Sequence, residues 1–324
     1  MTPKISVVFT SYNHREFLEE ALEGLINQSF KDFELIIIDD CSTDGSQEIL
    51  IKYTDDPRVK LYLLEKNSGS YVHSSNLGAS KAIAEYIIFA QCDDYPEPTQ
   101  LEQLYDIAKR NPNIGVVFSS SVMIDGNSNI LGYDFDIREK RFKRLCAKNT
   151  IISGLQMQEY FLYSCVIPNL SAALIKRSLF EKLLGLSSKY LVLADWDFWL
   201  RMSLECDFYF VRESLNNFRQ HDNTIRKSIK LKRQITELFE MYYNFFKFSE
   251  IGYFSRLHYE FTIANIWLSY FQGGKIAWIK SLIPLQIIAM KHNLYFSIIF
   301  LLASILYPFK IVKRRMGNII LSKL

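Results

Sequence analysis

The sequence predicts an α/β fold on a mostly parallel sheet, from three observations. Short β-branched runs alternate with segments of helical periodicity through about residue 119. The runs are almost continuously apolar, as in strands covered by helices on both faces. A polar segment follows most of them directly.

Taken in order, Ile5–Thr10 reads as a buried strand. Phe17, Leu18, Ala21, Leu22, Leu25 and Ile26 recur at helical spacing after it. Phe33–Ile38 is the second strand. Asp44 and Gln47 resemble a capping box, opening a helix through Tyr53. Val59–Leu64 is the third strand, and a helix is expected over Ser74–Ala84. Tyr86–Ala90 is the fourth strand, a helix runs to Arg110, and Ile114–Ser119 is the fifth strand. Right-handed crossovers then bring the strand C-terminal ends to one edge. That edge collects Thr10–Asn13, Asp39–Thr43, Asn67–Ser70 and Gln91–Tyr95, the place where open α/β sheets bind ligands.

Asp93 and Asp94 stand out on this edge. Adjacent carboxylates at a strand end repel unless something positive lies beside them. Mg²⁺ is commonly held by one or two carboxylates plus substrate phosphates, so the pair points to a metal–diphosphate site. The alternative is a solvated pair capping the helix that begins near Pro98. No G-x-G-x-x-G and no Walker-type loop follows the first strand, which reads TSYNHREF. This argues against dinucleotide and P-loop binding.

The 324 residues can form one large domain or a domain with an appendage. A net charge of +3 gives no basis for nucleic-acid binding. Five cysteines without C-x-x-C or regular spacing suit a reduced, cytoplasmic setting. The opening residues lack the charged and apolar regions of a signal peptide.

SVVFTSYNHREFLEEALEGLINQSF, FELIIIDDCSTDGS, NSGSYVHSSNLGASKAIAEYIIFAQCDD and LADWDFWLRM occur here in that order. Together they resemble the glycosyltransferases of family 2, inverting enzymes with a GT-A fold, over about residues 4–222. The resemblance implies the following roles. Thr10, Tyr12 and Asn13 line the base pocket of a nucleotide diphosphate sugar, usually a UDP-sugar. Asp40, with Asp39 beside it, accepts a hydrogen bond from the uracil imide; their structural alternative is turn chemistry before Asp44. Asn76 matches a donor-site asparagine. Asp93 and Asp94 match the end of the metal motif, holding Mg²⁺ or Mn²⁺ against the diphosphate. The family usually reads Asp-x-Asp-Asp there, and Gln91 stands in for the first Asp. Asp195 aligns with the general base, which takes the acceptor hydroxyl's proton; on its own it would read as a helix N-cap. Ala194 replaces a frequent Glu. His221 matches a residue that contacts the diphosphate or metal; on its own it would read as a structural histidine near the end of a domain. Arg219 and Arg226 either offer charge to a phosphate or belong to a solvated basic face, and Trp196 with Trp199 is either a sugar platform or core.

After about Ile225 the composition changes to a dense run of Tyr and Phe, including Phe239, Tyr242, Phe246, Phe248, Tyr253, Phe254, Tyr259, Tyr270 and Phe271. The uncharged stretch Leu294–Phe309 falls short of the ~20 residues a membrane span needs. Lys310, Lys313, Arg314 and Arg315 follow it with no acid to the end. This suits docking on an anionic membrane face; a buried helix of an appendage is the alternative. The expected organisation is a catalytic domain over 1–225 and a helical extension over 226–324. The expected function is metal-assisted transfer of a sugar to a saccharide or lipid-linked acceptor in cell-surface polysaccharide synthesis. The protein is then cytoplasmic and peripheral to the membrane. A catalytically silent sugar-nucleotide binder is the rival. A nucleotidyltransferase would need a Gly-rich basic loop that TSYNHRE does not supply.

Overall fold

The computed structural model describes residues 2–221 apart from 139, 163 and 168. In the C-terminal third it describes residues 231–246, 257, 260–261, 264, 286–287, 289–290 and 294–306. The chain divides into two compact units, Met1–Ser228 and Ile229–Leu324.

The first unit opens with four parallel strands: β1 (Ile5–Ser11), β2 (Phe33–Asp39), β3 (Val59–Leu63) and β4 (Tyr86–Gln91). Three helices connect them: α1 (Arg15–Ile26), α2 (Ser46–Lys52) and α3 (Tyr71–Lys81). Their order in the sheet is β3-β2-β1-β4. β1 and β2 form the centre because Ile5, Val7, Val8, Phe9 and Leu35 to Ile38 are fully buried. Burying each such side chain stabilises the fold by roughly 1.5–3 kcal/mol. α3 lies directly on these strands at Gly78, where a Cβ would come within 2.4 Å of Val8 Cγ1. Only glycine allows that approach.

Beyond β4 the chain continues as β5 (Tyr95–Pro96), α4 (Gln100–Arg110), β6 (Ile114–Ile124), β7 (Ile130–Tyr133) and α5 (Lys140–Leu145). Then come β8 (Thr150–Ile152), α6 (Gly154–Phe161), β9 (Ala173–Lys176), α7 (Arg177–Lys182), α8 (Ala194–Met202) and β10 (Asp207–Arg219). β9 is antiparallel between β4 and β6, and β10 lies parallel to β6. The sheet thus continues as β4-β9-β6-β10-β5, with β7 on β6 and β8 on β10.

Three local expectations are corrected. Asp44 and Gln47 form no capping box. The residue before α2 is Gly45, in the left-handed region at φ 89°. Asp44 accepts from Ser46 N and Oγ, while Gln47 donates to Asp39 Oδ1 at 2.8 Å. The helix expected from Ser74 begins at Tyr71, because Ser70 caps it by accepting from Val72 N. β6 also runs beyond Ser119, since Ser119, Ser120 and Ser121 are buried inside the sheet.

In the second unit, helices Leu231–Phe246 and Leu294–Leu306 pack through Phe239 and Phe296, whose ring centroids are 4.4 Å apart. Phe296, Ile299, Phe300 and Ala303 face inward, while Leu294, Ile298, Leu301, Leu302 and Ile305 are exposed. No helix among the described residues is long and apolar enough to cross a membrane. Arg226, Phe248, Tyr253, Phe254, Tyr259, Tyr270, Phe271 and the basic residues Lys310 to Arg315 lie outside the described residues.

Candidate active site

The polar strand ends meet in register. Ser11 is opposite Asp39, and Thr10 is opposite both Ile38 and Gln91. Asn13 and Cys41, just beyond β1 and β2, both have left-handed backbones, with φ 49° and 64°. Such conformations are costly for non-glycine residues and cluster at functional sites. The two turns interlock here: Asn13 N donates to Ser42 Oγ, and Thr43 N donates to Asn13 Oδ1. Tyr12 projects from this edge, 44% exposed.

Asp39 and Asp40 divide their tasks. Asp39 is fully buried and accepts from Ser42 N, Ser42 Oγ and Gln47 Nε2. These bonds tie it to the turn. Asp40 accepts from Ser68 N and Ser68 Oγ, both at 2.8 Å, and so draws the Asn67–Ser70 loop onto the edge. A carboxylate has about four lone-pair sites, so Asp40 keeps capacity for a ligand.

The Asp pair is equally divided. Asp94 is 3% exposed and accepts from Asn169 Nδ2, Ser171 Oγ and Arg219 N. Burial, with the neighbouring Asp93 charge, pushes its carboxyl well above the ordinary value, against the opposing Arg219 N–H and Ser171 hydroxyl. Three protein donors surround the Asp94 carboxylate, which anchors the turn that carries Asp93. Asp93 remains partly open, and its Oδ2 lies 3.1 Å from His221 Nε2. His221 follows β10, whose parallel pairing with β6 carries it to the edge where β4 ends. Its ring packs against Phe17 and edge-on against His14.

Arg219 is not available to a phosphate. Its side chain is buried, with Nε donating to Asp93 O and Nη1 to Asp125 O and Ser128 Oγ. Nη2 pairs with Glu20, and the guanidinium lies over the Phe17 ring.

The remaining candidates lie toward α8. Asp195 is in the first turn of α8 rather than at its N-cap, which is Leu193. It is partly exposed, and Oδ1 accepts from Trp196 N. Trp199 is core, fully buried, while Trp196 Nε1 donates to Phe161 O. Asn76 pairs with Leu186 through both amide atoms, so its side chain fastens the loop that leads to α8.

The family model for glycosyl transferase family 2 matches residues 6–184, more than half of the chain. The chain belongs to glycosyl transferase family 2. An uncharacterized glycosyltransferase of Methanocaldococcus jannaschii is 29% identical over 71% of this chain and 76% of its own length. The teichuronic acid biosynthesis glycosyltransferase TuaG of Bacillus subtilis, itself a provisional assignment, is 38% identical over 31% of this chain and 40% of its own. A crystal structure of Staphylococcus aureus TarS, residues 1–349 with UDP-GlcNAc, superposes with a TM-score of 0.64 at 18% identity. It covers 86% of this chain and 79% of that one, so the two share a fold.

In this glycosyltransferase the sequence left several positioning residues unnoticed. Asn169 and Ser171 carry no motif, and their role appears only when β9 lies beside β4. His14 was visible as a polar residue after β1, but nothing in its spacing paired it with His221.

Proposed function

We propose that this family 2 enzyme transfers a sugar from a nucleotide diphosphate donor, a UDP-sugar, to a hydroxyl of a saccharide or lipid-linked acceptor in cell-surface polysaccharide assembly, with inversion. One observation carries the proposal: Asp93 and His221 meet at the edge where β1, β2 and β4 end, beside the interlocked Asn13 and Asp39–Thr43 turns. TarS, of the same fold, is described in complex with UDP and with UDP-GlcNAc.

Thr10, Tyr12, Asn13 and Asp40 border the base pocket, with Asp40 accepting from the uracil imide N–H. Asp93 and His221 would hold a divalent ion. The fit has two supports: a carboxylate and an imidazole 3.1 Å apart, and His221 Nδ1 buried with no partner among the described residues. Such an ion, Mg²⁺ or Mn²⁺, offsets charge on the departing diphosphate. Asp94, held by three donors, keeps Asp93 in place. Asp195, at the start of α8, takes the acceptor hydroxyl's proton.

The second unit suits an anionic membrane surface. The exposed face of Leu294–Leu306 is apolar, and the sequence after it carries Lys310, Lys313, Arg314 and Arg315 without an acid.

The test is nucleotide release and binding with a panel of UDP-, GDP-, CDP- and ADP-linked donors. UDP-sugars should turn over with Mg²⁺ or Mn²⁺ and stop with EDTA. CDP should bind more weakly than UDP by about 1–3 kcal/mol, because cytosine leaves Asp40 without its donor. No turnover with any donor would favour a silent binder.

A further inference from the structure

We propose that His14 is a third protein ligand of the divalent ion, which gives the site a preference for transition ions such as Mn²⁺ and Co²⁺ over Mg²⁺. This inference rests on the metal-assisted reading above and specifies the donor set of the same site.

His14 occupies the position before α1, yet its side chain does no capping. The open N–H of Arg15 is satisfied instead by Asp44 Oδ2 at 3.0 Å. The imidazole is therefore free for another task, and its position is set from three sides. Asn13 bends left-handed just ahead of it, and Ser42 and Thr43 hold that bend. Phe17, one turn into α1, touches both the His14 ring, at 6.2 Å between centroids, and the His221 ring, at 5.2 Å. The two imidazoles stand edge to face, 5.3 Å apart.

The proton on His14 is assigned by its partner. Nδ1 lies 2.7 Å from Tyr12 O, and a carbonyl oxygen only accepts, so Nδ1 carries the hydrogen. Nε2 is left with its lone pair. A ring N–H given to a backbone carbonyl, with the other nitrogen open, is the usual state of a metal-bound histidine.

The geometry agrees. Ligand atoms of His14, Asp93 and His221 all lie within 4.8 Å of one another. Donors about 2.0–2.2 Å from a shared ion are separated by roughly 3–4.4 Å, so small side-chain shifts bring all three onto one centre. His14 is partly exposed, and Asp93 and His221 are partly buried, which leaves an approach for diphosphate oxygens.

Two imidazoles and one carboxylate make a nitrogen-rich set. Mg²⁺ takes oxygen ligands and keeps its water, whereas imidazole suits transition ions. The discrimination arises from His14 because without it the set contains one nitrogen against Asp93 and the diphosphate oxygens.

The experiment uses the full-length protein with UDP present. Mn²⁺ binding is read by the loss of the free-ion electron paramagnetic resonance signal, Mg²⁺ by competition, and Co²⁺ by its visible absorption. His14→Ala should weaken Mn²⁺ by at least the ~10–100-fold that loss of a mere outer-shell partner costs. His14→Asp should keep an ion but lower the Mn²⁺/Mg²⁺ affinity ratio at least tenfold and alter the Co²⁺ spectrum. Asp93→Ala should abolish binding of both ions. Unchanged Mn²⁺ affinity and ion ratio in both His14 variants, with binding lost in Asp93→Ala, would overturn the role of His14 alone. No Mn²⁺ binding by the unaltered protein would overturn the metal-assisted reading itself.

Discussion

Asn76 and Leu186 hold each other by a closed pair of hydrogen bonds. Asn76 Nδ2 donates to Leu186 O at 2.8 Å, and Leu186 N donates to Asn76 Oδ1 at 2.9 Å. The pair joins α3, which lies on the donor-side strands, to the loop entering α8 and Asp195. Replacing Asn76 with Ala would leave a buried Leu186 backbone unpaired, at about 1–3 kcal/mol. We expect a lower melting temperature and slower transfer with UDP affinity unchanged. Loss of UDP binding in calorimetry would instead return Asn76 to direct donor contact, as the family resemblance implies.

Asp195→Asn separates the base from the fold. The amide oxygen can still accept from Trp196 N, the bond that Asp195 makes now. Transfer should fall by ~10²–10⁴, the usual contribution of general base catalysis. The loss should lie in turnover and not in donor affinity. Normal transfer by this variant would remove Asp195 from the mechanism.

The cysteines give a pH-dependent check on the donor edge. Burial pushes the Cys146 and Cys206 thiols up to about 12. A raised thiol pKa leaves the neutral form dominant until the pH approaches it, so both should resist alkylation at pH 8. Cys41 is partly exposed in the turn beside Asp40, and it should react there. UDP at saturation should slow that reaction at least several-fold, read by peptide mass spectrometry. Equal labelling of Cys41 with and without UDP would place the base pocket elsewhere.

Flotation with lipid vesicles tests the second unit. The protein should rise with vesicles containing phosphatidylglycerol and stay behind with phosphatidylcholine alone. Added salt should weaken the association, because screening shortens the reach of the basic residues. Ile298→Glu with Leu302→Glu should abolish flotation while leaving nucleotide binding intact. Equal behaviour with neutral and anionic vesicles would refute the electrostatic part.

The sequence made the first half of the sheet legible because β1, β2 and β4 are buried on both faces and read as unbroken apolar runs. It made the edge legible for the same reason: Asp39, Asp40 and Gln91–Asp94 interrupt those runs abruptly. β9 and β10 carried no such signal. β9 is only four residues, and β10 has register shifts at Val211–Ser214 and Ser214–Asn216 that break its alternation. The roles within each Asp pair were hidden too. Which carboxylate faces inward depends on donors such as Ser42, Gln47, Asn169 and Arg219. Only the Ser42 and Gln47 partners are local in sequence. The Asp44–Gln47 box does not form because the helix starts later, at Ser46 after Gly45, and the Asp44 carboxylate turns to Ser46 and Arg15.

The position of Arg219 has a consequence for how the chain matures. Its N–H reaches Asp94 and its Nε reaches the Asp93 carbonyl, across 125 and 126 residues. Contacts of such long sequence separation form late, and during synthesis they cannot form until β10 has emerged. A nascent chain that ends with the family match at Lys182–Leu184 carries the Asp pair without Arg219, His221 or Asp195. The recognisable stretch and the compact unit Met1–Ser228 therefore have different ends. A truncation that ends before β10 loses the Arg219 contacts that hold the Asp93–Asp94 turn.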